Sequence, residues 1–253
     1  MGFIIAVAGK GGTGKSTLSA LLVRELGARK AGSILAVDAD PNSTLGELLG
    51  LAPSKSIGQV IDEVAQHPDS IPGGMTKDRY IEFQVQSIVE EAEGFDLLTM
   101  GKPEGPGCYC YANNVLRGAM ERLVQSYDFT IIDNEAGLEH LSRKTMGSAD
   151  ALIVVSDCSA AGMRAAERIQ RLTSELKLKI GKKMLVANRC EGLEKKAAAA
   201  GIEYAGSVPH DPAVEELSRE NQPVFHLAKN SPASEAVRAL VGALLKYHHT
   251  SKE

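Results

Sequence analysis

The run Gly9-Lys10-Gly11-Gly12-Thr13-Gly14-Lys15-Ser16-Thr17 carries the densest chemistry in this 253-residue chain. It fits G-x-x-x-x-G-K-[ST], follows apolar residues 3–8 and opens a helix-prone stretch over 15–29, which is the context the motif requires. Glycines at 11, 12 and 14 let successive backbone N–H groups turn inward around phosphate oxygens. The N-terminus of the following helix adds partial positive charge there. Lys15 is placed to reach the β- and γ-phosphates and the Ser16 hydroxyl to ligate Mg²⁺, with Thr13 and Thr17 completing the loop. The expected ligand is Mg-ATP, with ADP and phosphate as hydrolysis products.

Two further acidic positions close apolar runs. Ala36-Val37-Asp38-Ala39-Asp40-Pro41-Asn42 ends one, and Asp40 to Ser43 is also good helix-cap chemistry. Ile131-Ile132-Asp133 ends another and reads as a Walker B strand, with Asp133 holding Mg²⁺ through water. Late in the chain, Asn188 and the Pro209-His210-Asp211 segment each follow a strand-like run. Asn188 and Asp211 offer polar edges, and Pro209 a flat apolar contact, to a nucleotide base.

Cys108 and Cys110 flank Tyr109 in a glycine- and proline-rich segment. Two thiols one residue apart make a poor intrachain disulfide, because the ring is too small to relax. As thiolates they can grip one soft metal ion. One chain offers two sulfurs and a two-fold dimer offers four. A tetrahedral set suits Zn²⁺ and a flattened one Ni²⁺, and the spacing does not choose between them. Cys158 and Cys190 are expected to stand alone as small buried hydrophobes.

The second lysine of the loop, Lys10, in the pattern Lys-Gly-Gly-x-Gly-Lys-Ser-Thr, resembles the deviant P-loop ATPases. Those include the Min/Par positioning ATPases and the iron protein of nitrogenase. The resemblance implies that Lys10 acts catalytically by crossing a homodimer interface to the partner's phosphates. It implies that Asp40, in the first switch, positions the attacking water, with Asp38 near the Mg²⁺ shell. Residues 133–137 match the second switch, although Glu135 stands where that family often has Pro. Asn188, Pro209 and Asp211 match the adenine pocket of the iron proteins. Together with the C-x-C pair, the pattern is similar to the CooC family, nickel-inserting ATPases that mature carbon monoxide dehydrogenase. That resemblance implies Ni²⁺ or Zn²⁺ held between two subunits, a dimer closed by ATP and reopened by hydrolysis, and carbon monoxide dehydrogenase as client.

Two rival classes fit less well. A nitrogenase-type reductase expects a cluster cysteine at the second switch, and residues 133–140 contain none. A Min-type ATPase expects a membrane helix at the C-terminus. Residues 233–247 are amphipathic, but their polar face offers as cations only Arg238 and Lys246. A Par-type ATPase binds DNA, which fits poorly with a net charge of −4 and a pI of about 5.9.

The elements that must position these residues alternate. Strands are expected at 3–8, 33–37, 95–100, 129–133, 151–155 and 183–187, with a weaker one at 201–208. Helices are expected at 15–29, 113–126, 160–176, 212–220 and 234–247. Several strands are apolar almost throughout, as a parallel sheet covered on both faces requires. The expected fold class is α/β: a doubly wound, mostly parallel sheet flanked by helices, in one P-loop domain over 1–253. Residues 51–93 mix helical and strand-like pieces and yield no element. No basic region precedes residues 3–8 and no run of about 18 apolar residues occurs, so neither a secretory signal nor a membrane span is expected. The expectation is a cytoplasmic protein without nucleic-acid or membrane partners.

Overall fold

The computed structural model describes residues 2–40, 44–102, 110–135 and 148–251, with the helical backbone alone over 110–115. Among the described residues eight strands form one sheet: β1 (Phe3–Gly9), β2 (Ile34–Ala39), β3 (Glu90–Ala92), β4 (Phe95–Thr99), β5 (Phe129–Asn134), β6 (Ser148–Ser156), β7 (Lys179–Asn188) and β8 (Glu203–Val208). Their spatial order is β3-β4-β2-β5-β1-β6-β7-β8. Every pairing is parallel except the short edge hairpin β3–β4. The chain winds outward from β1 in both directions, and this reversal of strand order opens a crevice at the carboxyl ends, where such sheets bind ligands.

The helices are α1 (Lys15–Ala28), α2 (Thr44–Leu48), α3 (Ile57–Gln66), α4 (Lys77–Ser87), α5 (Cys110–Gln125), α6 (Ala160–Glu175), α7 (Glu194–Ala199), α8 (Pro212–Arg219) and α9 (Pro232–Thr250). Side chains alternate across each strand, so a strand buried on both faces must be apolar on both. In β1, Phe3, Ile5 and Val7 face a core shared with α1 and α9, whereas Ala6 and Ala8 face one beneath α6 and α7. In β2, Ile34 and Ala36 join the first core. Leu35, Val37 and Ala39 join a third, under α3, α4 and α5.

Helix α9 closes the first core. Its Val237, Leu240, Val241 and Leu244 are buried against α1 and the sheet. Arg24 of α1 donates to Ser234 Oγ (2.9 Å) and to the Leu227 carbonyl (2.5 Å). The Phe3 ring meets His248 edge-on, with centroids 4.7 Å apart. The first strand and the last helix are thereby packed together.

Residues 51–93, unassigned from sequence, hold α3, α4 and β3. A capping box starts α3: Ser56 Oγ accepts from Gln59 N, and Gln59 Oε1 accepts from Ser56 N. Thr76 caps α4 through Arg79 N. Helix α5 begins at Cys110 rather than at 113, so Cys110 lies on a helical turn and not in a loop.

Candidate active site

The P-loop turn is built by its own backbone. Thr13, almost wholly buried, bonds the Lys10 carbonyl through both its N–H (3.3 Å) and its hydroxyl (2.8 Å). Gly12 (φ 80°) and Gly14 (φ 88°) take left-handed conformations that only glycine adopts without strain. A β-carbon at Gly14 would also collide with the Asn188 amide. The first helical bond, Leu18 N to Gly14 O (3.0 Å), aims the α1 N-terminus into the loop. Lys15 is buried, whereas the Lys10 side chain, with Gly11 and Gly12, stands exposed.

The loop opens on a cavity of about 590 Å³ lined by Lys15, Ser16, Thr17, Asp40, Thr44 and Glu135. Beneath it lie two buried carboxylates, Asp38 and Asp133, directly opposite one another in the β2–β5 register. Asp133 Oδ1 accepts from Ser19 Oγ (3.1 Å), and Asp133 Oδ2 is buried with no hydrogen-bond partner among the described residues. Burial raises its pKa to about 6, against the opposing pull of the Ser16 hydroxyl and the Lys15 charge. Burial also raises Asp38, to about 7, with the Asp133 charge adding to it. Asp38 Oδ2 accepts from Leu45 N (2.9 Å) and Oδ1 from Asp40 N (3.2 Å), so Asp38 fastens the turn from β2 into α2. Ser16 Oγ accepts from Thr44 Oγ1 (3.2 Å). An orphaned buried carboxylate oxygen beside a serine hydroxyl, with a second carboxylate behind it, is a donor set that fits a hard divalent cation.

A second cavity of about 320 Å³ adjoins the loop, walled by Gly14, Leu18, Asn188, Val208, Pro209 and Asp211. Asn188, ending β7, donates through Nδ2 to the Thr13 carbonyl (2.7 Å). Arg189, in a left-handed conformation (φ 60°), donates to the Gly12 carbonyl (2.8 Å). Asp211 caps α8 by accepting from Ala213 N (3.1 Å) through Oδ1, and ties in α9 by accepting from Ala233 N (3.1 Å) through Oδ2. Both oxygens hold backbone, so Asp211 builds the pocket wall.

The structure thus gathers Lys15, Ser16, Thr17, Asp38, Asp40, Asp133, Asn188, Pro209 and Asp211 around two joined cavities. Ser19, Thr44 and Arg189 escaped the sequence reading. Ser19 lies one helical turn beyond Lys15, a spacing that could have flagged it, whereas Arg189 and Thr44 gave no signal. Pro41, Asn42, Ser43, Cys108, Ala136 and Gly137 lie outside the described residues, as does the Cys110 side chain. One expectation fails: Cys158 and Cys190 do not stand alone but form a disulfide, with Cα atoms 5.8 Å apart. Strands β6 and β7 are neighbours, and their ends bring together residues separated by 32 positions.

This geometry, a glycine-built phosphate loop at the head of a helix beside a buried acidic pair, defines a P-loop nucleotide-binding domain. Residues 2–186 match the family model described as AAA domain, and the chain belongs to that family. It is 39% identical to an uncharacterized ATP-binding protein of Methanocaldococcus jannaschii, over 96% of this chain and 98% of that one. It is 28% identical to the carbon monoxide dehydrogenase accessory protein CooC of Rhodospirillum rubrum, over 96% of each chain. The solved septum site-determining protein MinD of Pyrococcus horikoshii, complexed with Mg-ADP, superposes with a TM-score of 0.70 at 20% identity, covering 98% of both chains.

Proposed function

We propose that this chain, acting as one domain over 1–253, is a homodimeric ATPase that loads a soft metal ion, Ni²⁺ or Zn²⁺, for insertion into a client enzyme. By its likeness to CooC, the client is carbon monoxide dehydrogenase. The observation that carries the reading is the Cys108-Tyr109-Cys110 sequence, which follows β4 in chain order and whose last residue opens α5. The exit of β4 is tied to the acidic pair: Met100 N donates to the Asp38 carbonyl (2.8 Å). Gly58 N in turn donates to the Met100 carbonyl (2.9 Å), so the residue that follows β4 is anchored on both sides.

In this reading the base enters the smaller cavity, with Asn188 and Pro209 against the adenine, and the phosphates enter the larger one. Lys15 and the loop N–H groups neutralise charge on the β- and γ-phosphates, and Lys10 reaches across the dimer to the partner's nucleotide. Asp40 orients the attacking water. Ser16, Asp133 and, behind them, Asp38 would hold Mg²⁺, which neutralises phosphate charge when bound. ATP closure presents four cysteine thiolates, two from each chain, as one soft-metal site.

A membrane-positioning role of the Min kind has less support. The apolar side chains of α9 are spent on α1 and the sheet, and among the described residues no helix is long and apolar enough to span a bilayer. The test is metal stoichiometry of reduced protein titrated with Ni²⁺ or Zn²⁺, read alongside oligomer mass. A shared site gives about one ion per two chains, lost in the Cys108→Ala, Cys110→Ala variant with nucleotide binding retained. Ion binding that survives the double substitution overturns the metal reading.

A further inference from the structure

The Cys158–Cys190 bridge occupies a position that the ATPase cycle does not explain. It joins the loop after β6 to the loop after β7, and both cysteines are only half-buried, within reach of a reductant. Its two anchors differ. Cys158 sits in a segment fixed by its own hydrogen bonds. Ser156 Oγ donates to the Asp157 carbonyl (2.8 Å), and Ser159 caps α6 by accepting from Gly162 N (2.9 Å). Cys190 sits between Arg189 (φ 60°) and Gly192 (φ 79°), two left-handed residues of a loop with no regular structure before Leu193. Immediately preceding it are Asn188 and Arg189, whose side chains hold the carbonyls of Thr13 and Gly12. The disulfide therefore ties the loop after β7, whose Asn188 and Arg189 steady the phosphate loop and whose Arg189 N donates to the Val208 carbonyl (2.8 Å), to the loop after β6.

We propose that Cys158 and Cys190 form a reversible dithiol–disulfide site that sets how firmly the nucleotide pocket is held. The reducing partner is a low-molecular-weight thiol or a dithiol. One thiolate attacks a bridge sulfur, forming a mixed disulfide and releasing the other cysteine as a thiolate that takes up a proton. A second thiol resolves the mixed disulfide, so two thiols are oxidised to one disulfide as the bridge takes up two electrons and two protons. The geometry accommodates the reduced state, because Cys158 Sγ lies 3.2 Å from the Glu191 carbonyl, which a thiol hydrogen can reach. Oxidised, the loop is pinned and the pocket preorganised; reduced, Asn188 and Arg189 are free to leave Thr13 and Gly12, and nucleotide is released faster.

This inference rests on the nucleotide-binding reading of the pocket. The test uses the full chain carrying Cys108→Ser and Cys110→Ser, so that only this pair titrates. The protein is poised with oxidised and reduced dithiothreitol, its thiols are counted by alkylation and mass, and its affinity for a fluorescent ADP is measured with Mg²⁺. The expected result is that the dithiol form binds at least about fivefold more weakly, the lower end of usual coupling between sites. Adding Cys158→Ser or Cys190→Ser fixes the weaker affinity at every poise. Linkage makes the effect reciprocal, so in the chain with all native cysteines saturating ADP makes this pair's midpoint more negative by about 20 mV, given about 30 mV per tenfold for two electrons. Equal affinities within about twofold, below that coupling range, or a pair that never oxidises, overturn the proposal. Absence of nucleotide binding in both states overturns the pocket reading, and this proposal with it.

Discussion

Replacing Asp211 by alanine separates a wall-building role from base contact. The carboxylate holds two backbone donors on different helices, Ala213 N of α8 and Ala233 N of α9, each at 3.1 Å. It is only 6% exposed, so water does not replace these bonds in the folded state. Hydrogen bonds to a charged group contribute about 1.5–3 kcal/mol each. Taking the low end for both, Asp211→Ala costs about 3 kcal/mol. For a chain of this size each kcal/mol moves the melting temperature by about 2–4 °C, so the apo protein should melt about 6–12 °C lower. Asp211→Ser keeps a cap for Ala213 N but is too short to serve Ala233 N as well, so it should lose about half as much. The assay is a thermal melt followed by circular dichroism without nucleotide, which base contact cannot influence. A drop in Asp211→Ala of less than about 2 °C, well under the expected shift, would refute the two-helix staple. A serine variant as stable as the parent would show that the α9 bond contributes nothing.

Two further outcomes follow from the acidic pair and the loop. Asp38 and Asp133 have folded-state pKa values raised to about 7 and about 6, above the ordinary carboxyl value of 3.8. Their contribution is therefore fully present below about pH 4 and is lost as pH rises through about 7. In chelator the nucleotide-free protein should show this loss as a falling melting temperature, and Mg-ADP should flatten the slope; an Asp38→Asn variant with an unchanged slope would contradict the assignment. Lys10→Ala should retain ATP affinity, since the turn uses the Lys10 carbonyl and not its exposed side chain. It should lose hydrolysis and ATP-driven dimerisation, and normal turnover in a coupled phosphate assay would remove the cross-dimer role.

The interior strands and the phosphate loop were legible because one cause, burial on both faces, writes itself as an uninterrupted apolar run. Strand β3 was not: Glu90-Glu91-Ala92 is three residues long and acidic, and it pairs only because β4 lies beside it. The opening of β7 was hidden by Lys179 and Lys182, which precede the expected start at 183. At this amino end of the strand the Lys182 ammonium reaches Glu203 and Lys183 Nζ donates to Thr173 Oγ1. The Ser56–Gln59 box was readable in principle, but the helix behind it carries only 10 residues. Asp211 illustrates a different limit. Its type and place were visible, but which backbone groups it would hold depends on α8 and α9 meeting at its position. The Cys158–Cys190 pairing depends likewise on β6 and β7 being neighbours, which no local pattern states.

The packing of Phe3 against His248 and of α1 against α9 has a consequence for biosynthesis. The strand that leads into the phosphate loop is made well before α9, and α1 covers only part of its first face until the residues beyond Pro232 leave the ribosome. Until then Phe3, Ile5 and Leu22 present a greasy surface to the cell, and Arg24 lacks both acceptors that steady the loop's helix. While α9 is unmade the exposed core should accordingly bind holding chaperones, and the grip on a nucleotide should firm as that helix docks.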